Sequence, residues 1–393
     1  MLNKIKIYTL VIFLSLIFSF YFFETYQTFY IGENNLKEKI KILKKKENIN
    51  YDLRTKFEAY KDLKKKIPNL VTLTVPKTHV LLNAHNELLP LSGISKRVTL
   101  VCNENGYFSK FESDRFGFNN PDYEWDKEKI EFLLLGDSFT IGECVNRPHD
   151  FGSLLRKLSK KSVLNLGYSS NGPLIELAIL KEYLIKDTTN VIWFFYEGND
   201  LQDLSDTYDS EHLNKYLYEN DYKQFLTLKQ MQIDELNFQV LKEFINYFED
   251  KQKKSKRNNF LRFLRLDKTK KVIKDIFSEE RPIQINDKVF LKLKEIIKEA
   301  ENFSKKNGSN FYFVYLPSFQ SFENETSNFH KIQKDKIVSI LDELNIKLID
   351  IKKELIKNNV DYRNIFPFGF SGHFNKNGYD IIANIISKSI KNN

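Results

Sequence analysis

Ile130-Glu131-Phe132-Leu133-Leu134-Leu135-Gly136-Asp137-Ser138-Phe139-Thr140-Ile141-Gly142 is the stretch on which the fold turns. An apolar run is cut off by Gly-Asp-Ser, and a small, turn-rich piece follows. Such a run, bounded by a glycine, reads as a buried strand of a mostly parallel sheet. It delivers Ser138 at the strand's carboxyl end, where open α/β sheets place their ligands. Gly, Asp and Ser are also the commonest turn residues, so the stretch alone more often marks an ordinary turn.

Downstream, strand and helix patterns alternate. Strand-like runs occupy Ser162–Leu166, Val191–Tyr196, Asn310–Leu316 and Lys347–Ile351. Helical periods fill His149–Lys160, Leu174–Ile185 (opened by Pro173), Asn286–Lys306, Asn328–Leu344 and Lys376–Ile390. This is the mark of βαβ units around a parallel sheet. The second and third strands close, like the first, in a Gly-containing polar turn, at Gly167 and at Gly198-Asn199-Asp200. Between 201 and 280 the alternation stops. That stretch is charged, mostly helical in pattern and too long for a simple connection. It reads as a helical insertion, either a lid over the carboxyl edge of the sheet or a peripheral helical pair.

Upstream, residues 71–129 break into short strand-like pieces: Val71–Val75, His79–Leu82 and Val98–Val101. They form a strand-rich extension carrying a loop, Asn103-Glu104-Asn105-Gly106-Tyr107. His79, His85 and Arg115 lie here and read as structural. Before the extension, Lys4 and Lys6 precede 17 almost wholly apolar residues, Ile7 to Phe23. The bulky flank after Phe23 does not suit signal cleavage, so residues 1–30 read as an uncleaved transmembrane signal anchor. Lys37, Lys39, Lys41 and Lys44 to Lys46 pull against the usual positive-inside orientation. Residues 31–70 read as a basic stalk.

The formal net charge of +9 in 393 residues is unevenly spread. Residues 1–66 hold 14 Lys or Arg against 7 Asp or Glu, which leaves the remainder nearly neutral. A phosphate-tracking groove is not indicated, and no nucleic-acid partner is expected. Cys102 and Cys144 are too few for a zinc site; they form one disulfide or stay as two thiols. No metal or cofactor is expected.

Ser138, Gly167, Asn199 and His373 thus stand at the ends of core elements. A serine nucleophile needs a base, usually His, to take its proton. It also needs donors for the oxyanion formed when an acyl carbonyl is attacked. The N–H groups of Ser138 and Gly167 and the amide of Asn199 are of the right kind.

In these blocks the chain resembles the SGNH (GDSL-type) esterases and acyltransferases, from Gly136-Asp137-Ser138 through Gly167 and Gly198-Asn199-Asp200 to His373-Phe374-Asn375. The resemblance covers roughly residues 130–393, interrupted by the insertion at about 201–280. It implies a flavodoxin-like three-layer sandwich with a parallel sheet of about five strands. It implies Ser138 as nucleophile, His373 as base, and an oxyanion hole from Ser138, Gly167 and Asn199. Asp137 is structural in that family. Where many members carry Asp three residues before the His, this chain has Phe370. A backbone carbonyl then orients His373, or an acid comes from elsewhere, with Asp361 the nearest upstream candidate.

The expected activity is hydrolysis or transfer of an acyl ester, O-acetyl on a cell-surface polysaccharide, by an inner-membrane protein with its large domain in the periplasm. The alternatives are a lipid or thioester hydrolase at the membrane and a catalytically inactive carbohydrate-binding scaffold.

Overall fold

A computed structural model describes residues 2–27, 40–45, 50–81, 88–277, 285–323 and 328–391. His85 and part of the expected stalk, including Lys37, Lys39 and Lys46, lie outside these residues. The chain divides into two units, one of residues 52–242 with 285–393, the other of residues 1–51 with 243–284.

The larger unit is built on eight strands. β1 (Leu70–Thr72), β2 (Val98–Leu100) and β3 (Lys110–Glu112) form a small sheet, parallel between β1 and β2 and antiparallel between β2 and β3. β4 (Ile130–Leu135), β5 (Val163–Asn165), β6 (Thr188–Tyr196), β7 (Asn310–Leu316) and β8 (Leu348–Asp350) form the main sheet. Its order is β5-β4-β6-β7-β8 and every pairing is parallel. That is the doubly wound, flavodoxin-like order, whose switch point lies between β4 and β6.

Strand residues alternate between two cores, as a period of two requires. Leu133, Leu135, Trp193, Phe195, Phe313 and Tyr315 face one layer, with the helices Pro173–Tyr183 and Asp287–Lys306. Phe132, Leu134, Ile192, Phe194, Val314 and Ile349 face the other, with Phe151–Ser159 and Lys376–Lys391. Local chemistry sets the boundaries. Asp150 and Asn286 cap the helices that follow them, and Pro173 occupies a first helical turn.

Three sequence expectations change. Of the expected strand His79–Leu82, the described residues 79–81 are helical. Pro76 opens the helix Pro76–Leu81, and buried His79 bonds Asn237 through Nε2 at 3.0 Å. The stalk stops early. Thr55 and Glu58 form a capping box on the helix Lys56–Lys64, which buries Phe57, Ala59 and Tyr60 in the larger unit. The insertion is not one body either. Leu204, Leu213, Tyr216, Leu226 and Ile233 belong to the main core, whereas residues 243–284 fall in the smaller unit.

In the smaller unit the helix Leu2–Tyr26 is about 37 Å long. Its apolar side chains are exposed, and it is long and apolar enough to cross a membrane.

Glu182, on the helix Pro173–Tyr183, ties the first half of the insertion to that helix. Its buried carboxylate accepts from Tyr216 Oη at 2.6 Å, Leu226 N at 2.9 Å and Gln224 N. Glu182→Ala strands these donors and should destabilise the domain by on the order of 3 kcal/mol, read as a lowered Tm. Glu182→Gln, which keeps an acceptor, should recover part of that loss.

Candidate active site

Ser138 leaves β4 through a turn that only glycine fits easily. Gly136 has φ +148°, and a Cβ there would lie 2.2 Å from Thr140 Oγ1. Asp137 then caps a one-turn helix, Ser138–Ile141, by accepting from Phe139 N at 2.9 Å. Its carboxyl is fully buried, which pushes its pKa up to about 7. Ser138 follows as the first helical residue, so its N–H has no intrahelical acceptor.

His373 reaches Ser138 from the loop before the last helix, with Nε2 2.9 Å from Oγ. The ring packs on Phe139 at a centroid distance of 4.7 Å, and Phe139 stacks in turn on Tyr196 at 3.9 Å. The acid that completes this line is Glu104. Its Oε1 lies 3.1 Å from His373 Nδ1, and its Oε2 accepts the His373 backbone N–H at 2.6 Å. One carboxylate therefore fixes both the ring and the chain that carries it. Gly372 admits it, since a Cβ there would lie 2.5 Å from Glu104 Oε2.

Asp361 does not take part. It is exposed and caps the turn Tyr362–Ile365, accepting from Arg363 N at 3.0 Å. A carbonyl of the 369–372 loop is not needed either. Phe370 stands where an acid was expected because the acid arrives from the strand-rich extension.

Cys102 and Cys144 form a disulfide. It joins the Glu104 loop to the segment just after Ser138, and Cys144 Sγ lies 3.6 Å from His373 Nδ1. Further bonds hold the loop, from Asp52 N to Gly106 O at 2.8 Å and from Asn103 Nδ2 to Asp52 O at 2.6 Å. Glu104, Cys144 and His373 are close enough together to hold a metal. The sulfur is spent in the disulfide, so the set does not fit one.

The oxyanion donors fare unequally. Asn199 lines the cleft, and its amide nitrogen donates to Asp203 Oδ2 at 2.6 Å. An amide nitrogen has a second hydrogen, which leaves a donor for the cleft. Gly167 is buried and gives its N–H to Asn165 Oδ1 at 3.0 Å, so here that donor is engaged within the protein. The cleft measures about 440 Å³. Sequence reasoning missed its polar lining of Ser318, Gln320, His330 and Ser371. Gln320 and Ser371 bond each other across it at 3.1 Å.

No protein-family model matches the chain, and no curated protein matches it. Several solved structures do. A putative lipolytic protein of the G-D-S-L family from Desulfitobacterium hafniense shares 15% identity, with 66% of this chain and 99% of that one covered and a TM-score of 0.37. The lipase/acylhydrolase from Enterococcus faecalis shares 15%, with 67% and 96% covered and a TM-score of 0.37. The psychrotrophic esterase EstA from Pseudoalteromonas sp. shares 11%, with 67% and 97% covered and a TM-score of 0.34. Likenesses of this grade decide nothing about chemistry, which follows from the site's own geometry.

Burial alone would lower the pKa of His373. The hydrogen bond to Glu104 and the negative charges of Glu143, Glu104 and Asp137 outweigh it and hold the imidazole up at about 9. The imidazole is therefore charged at neutral pH, and only its neutral form can take the Ser138 proton. Ester cleavage should rise with pH through a midpoint near 9, and Glu104→Gln should move that midpoint down. Glu104→Ala should cost on the order of a hundred- to ten-thousand-fold in kcat, whereas Asp361→Ala should leave kcat unchanged. Replacing both cysteines by serine should lower kcat in the same direction as Glu104→Ala. Circular dichroism should show the fold retained in each variant.

Proposed function

We propose that this chain is an SGNH-type serine hydrolase that cleaves acyl esters through Ser138, His373 and Glu104. The observation that carries the proposal is the unbroken hydrogen-bonded line from Oγ through the imidazole to a carboxylate, opening on a cleft. In this reading His373 takes the hydroxyl proton as Oγ attacks the acyl carbon. Glu104 holds the ring in place and stabilises the imidazolium. The Ser138 N–H and the Asn199 amide receive the oxyanion. His373 then protonates the departing alcohol, and water releases the acyl group by the same route. An acceptor sugar hydroxyl in place of that water would make the reaction an acyl transfer.

The substrate favoured is a short acyl group, acetyl, on a polyhydroxylated carrier such as a cell-surface polysaccharide. Asn199, Gln320 and Ser371 offer hydrogen bonds to sugar hydroxyls, beside the aromatic Phe139 and Tyr196. A lipid hydrolase would call for a deep apolar tunnel, whereas this cleft is open and mixes polar side chains with aromatic ones. The inactive-scaffold reading arose from the missing Asp, and Glu104 removes its motive. An inner-membrane anchor with the larger unit in the periplasm is consistent with the apolar helix Leu2–Tyr26 and with a disulfide, which persists in an oxidising compartment.

The full chain in detergent should turn over p-nitrophenyl acetate faster than the octanoate and should take a fluorophosphonate label at Ser138. Ser138→Ala should abolish both. Asn199→Ala should slow turnover by about a hundred- to a thousand-fold. A folded Ser138→Ala protein hydrolysing at the wild-type rate would overturn the proposal.

A further inference from the structure

The near-neutrality of residues 67–393 conceals a sharp local imbalance. Residues 251–274 hold eleven Lys or Arg and a single acid, Asp267. From residue 260 on, six of these cations alternate with Phe260, Leu261, Phe263, Leu264, Leu266, Val272 and Ile273. A basic segment with regularly interleaved apolar residues is the composition of a membrane-surface helix.

The fold presents it as one. The helix Gln230–Leu264 ends in a two-residue turn, with Leu266 at φ +56°, and the helix Asp267–Phe277 follows. Leu261, Leu264 and Ile273 are each more than a third exposed, as are the cations Arg265, Lys270, Lys271 and Lys274. Such apolar exposure is unfavourable in water and needs a partner. Among the described residues no carboxylate forms a salt bridge with any of those four cations.

The neighbouring element says which partner. Glu24, near the end of the apolar helix Leu2–Tyr26, accepts from Lys268 N at 3.1 Å, Thr269 N at 2.7 Å and Thr269 Oγ1 at 2.7 Å. It thereby caps the helix Asp267–Phe277 from another helix, with a negative charge at a helix N-terminus where it is favoured. Tyr21 adds a bond to Leu264 O at 2.9 Å and a ring contact with Phe263 at 5.7 Å. The basic segment is thus fastened to the last turn of the membrane-spanning candidate.

We infer that residues 251–274 are a second membrane-contact element, lying on anionic lipid headgroups beside the end of the Leu2–Tyr26 span. The cations meet lipid phosphates, and the exposed Leu and Ile side chains enter the boundary between headgroups and acyl chains. The inference rests on that helix crossing a bilayer and is independent of the chemistry proposed for Ser138. It separates lipid from nucleic acid or an acidic protein, because those partners would need the cations alone.

The test is hydrogen–deuterium exchange on the full chain in nanodiscs of phosphatidylcholine alone or with a third phosphatidylglycerol. Amides of 261–274 should exchange on the order of tenfold more slowly in the anionic discs, since each cation near an anionic surface adds several-fold. The difference should vanish at high salt and in the variant combining Arg265→Glu, Lys270→Glu, Lys271→Glu and Lys274→Glu. Exchange in β4, β6 and β7 should stay the same throughout and reports an intact fold. Glu24→Gln should weaken the protection of 267–274 in both kinds of disc. Equal exchange in the two discs would overturn the inference, as would protection by a soluble oligonucleotide but not by anionic discs. A chain that eluted with neither kind of disc would overturn the span and the inference together.

Discussion

Everything at the site depends on one carboxylate reaching a histidine 269 residues further along the chain. Glu104 meets His373 twice, at the ring and at the backbone, so the imidazole can neither rotate nor drift while Glu104 stays in place. A negative charge partly withdrawn from water is costly unless it is hydrogen-bonded or paired, and here the partner of the half-buried Glu104 is the group it must orient. The small β1-β2-β3 sheet belongs to the same unit as the main sheet, and Val101 and Phe111 lie in the shared core. The extension is the arm that delivers the acid, and the Cys102–Cys144 bond fixes where the arm ends.

Much of this could be read from the residues. The run ended by Gly136 is β4, and Asn310–Leu316 is a strand to the residue, because uninterrupted apolar runs between turn signals leave a buried strand few alternatives. Ser138 and His373 could be paired because each stands in a distinctive block. Glu104 could not. It lies in a loop with no periodicity, among polar neighbours that suit any turn, and its role exists only once the chain has folded. Asp361 was attractive for its nearness in sequence, yet an Asp before a tight turn has an ordinary use as a cap, and that is how it is used.

The charge pattern shows how counting by halves misleads. Eleven cations in residues 251–274 were diluted by an acidic remainder, so the balance came out near zero. The helical character of the insertion was legible. Its division between two units was not, because helix period reports that one face is apolar and is silent about which neighbour covers that face.

The bonds that hold the Glu104 loop bear on where the proposed catalytic unit begins. A piece starting at Ile130 would keep the whole five-stranded sheet together with Ser138, Asn199 and His373. It would resemble a complete hydrolase by every motif, yet lack Glu104 and one half of the disulfide. Starting at residue 67 restores both but gives up Asp52, whose backbone N–H and carbonyl both bond the loop. The functional boundary therefore lies upstream of Asp52, well before the fold looks complete. Expression fragments cut to match the sheet would lose the acid and, with it, Leu91, Val101 and Phe118 from the main core.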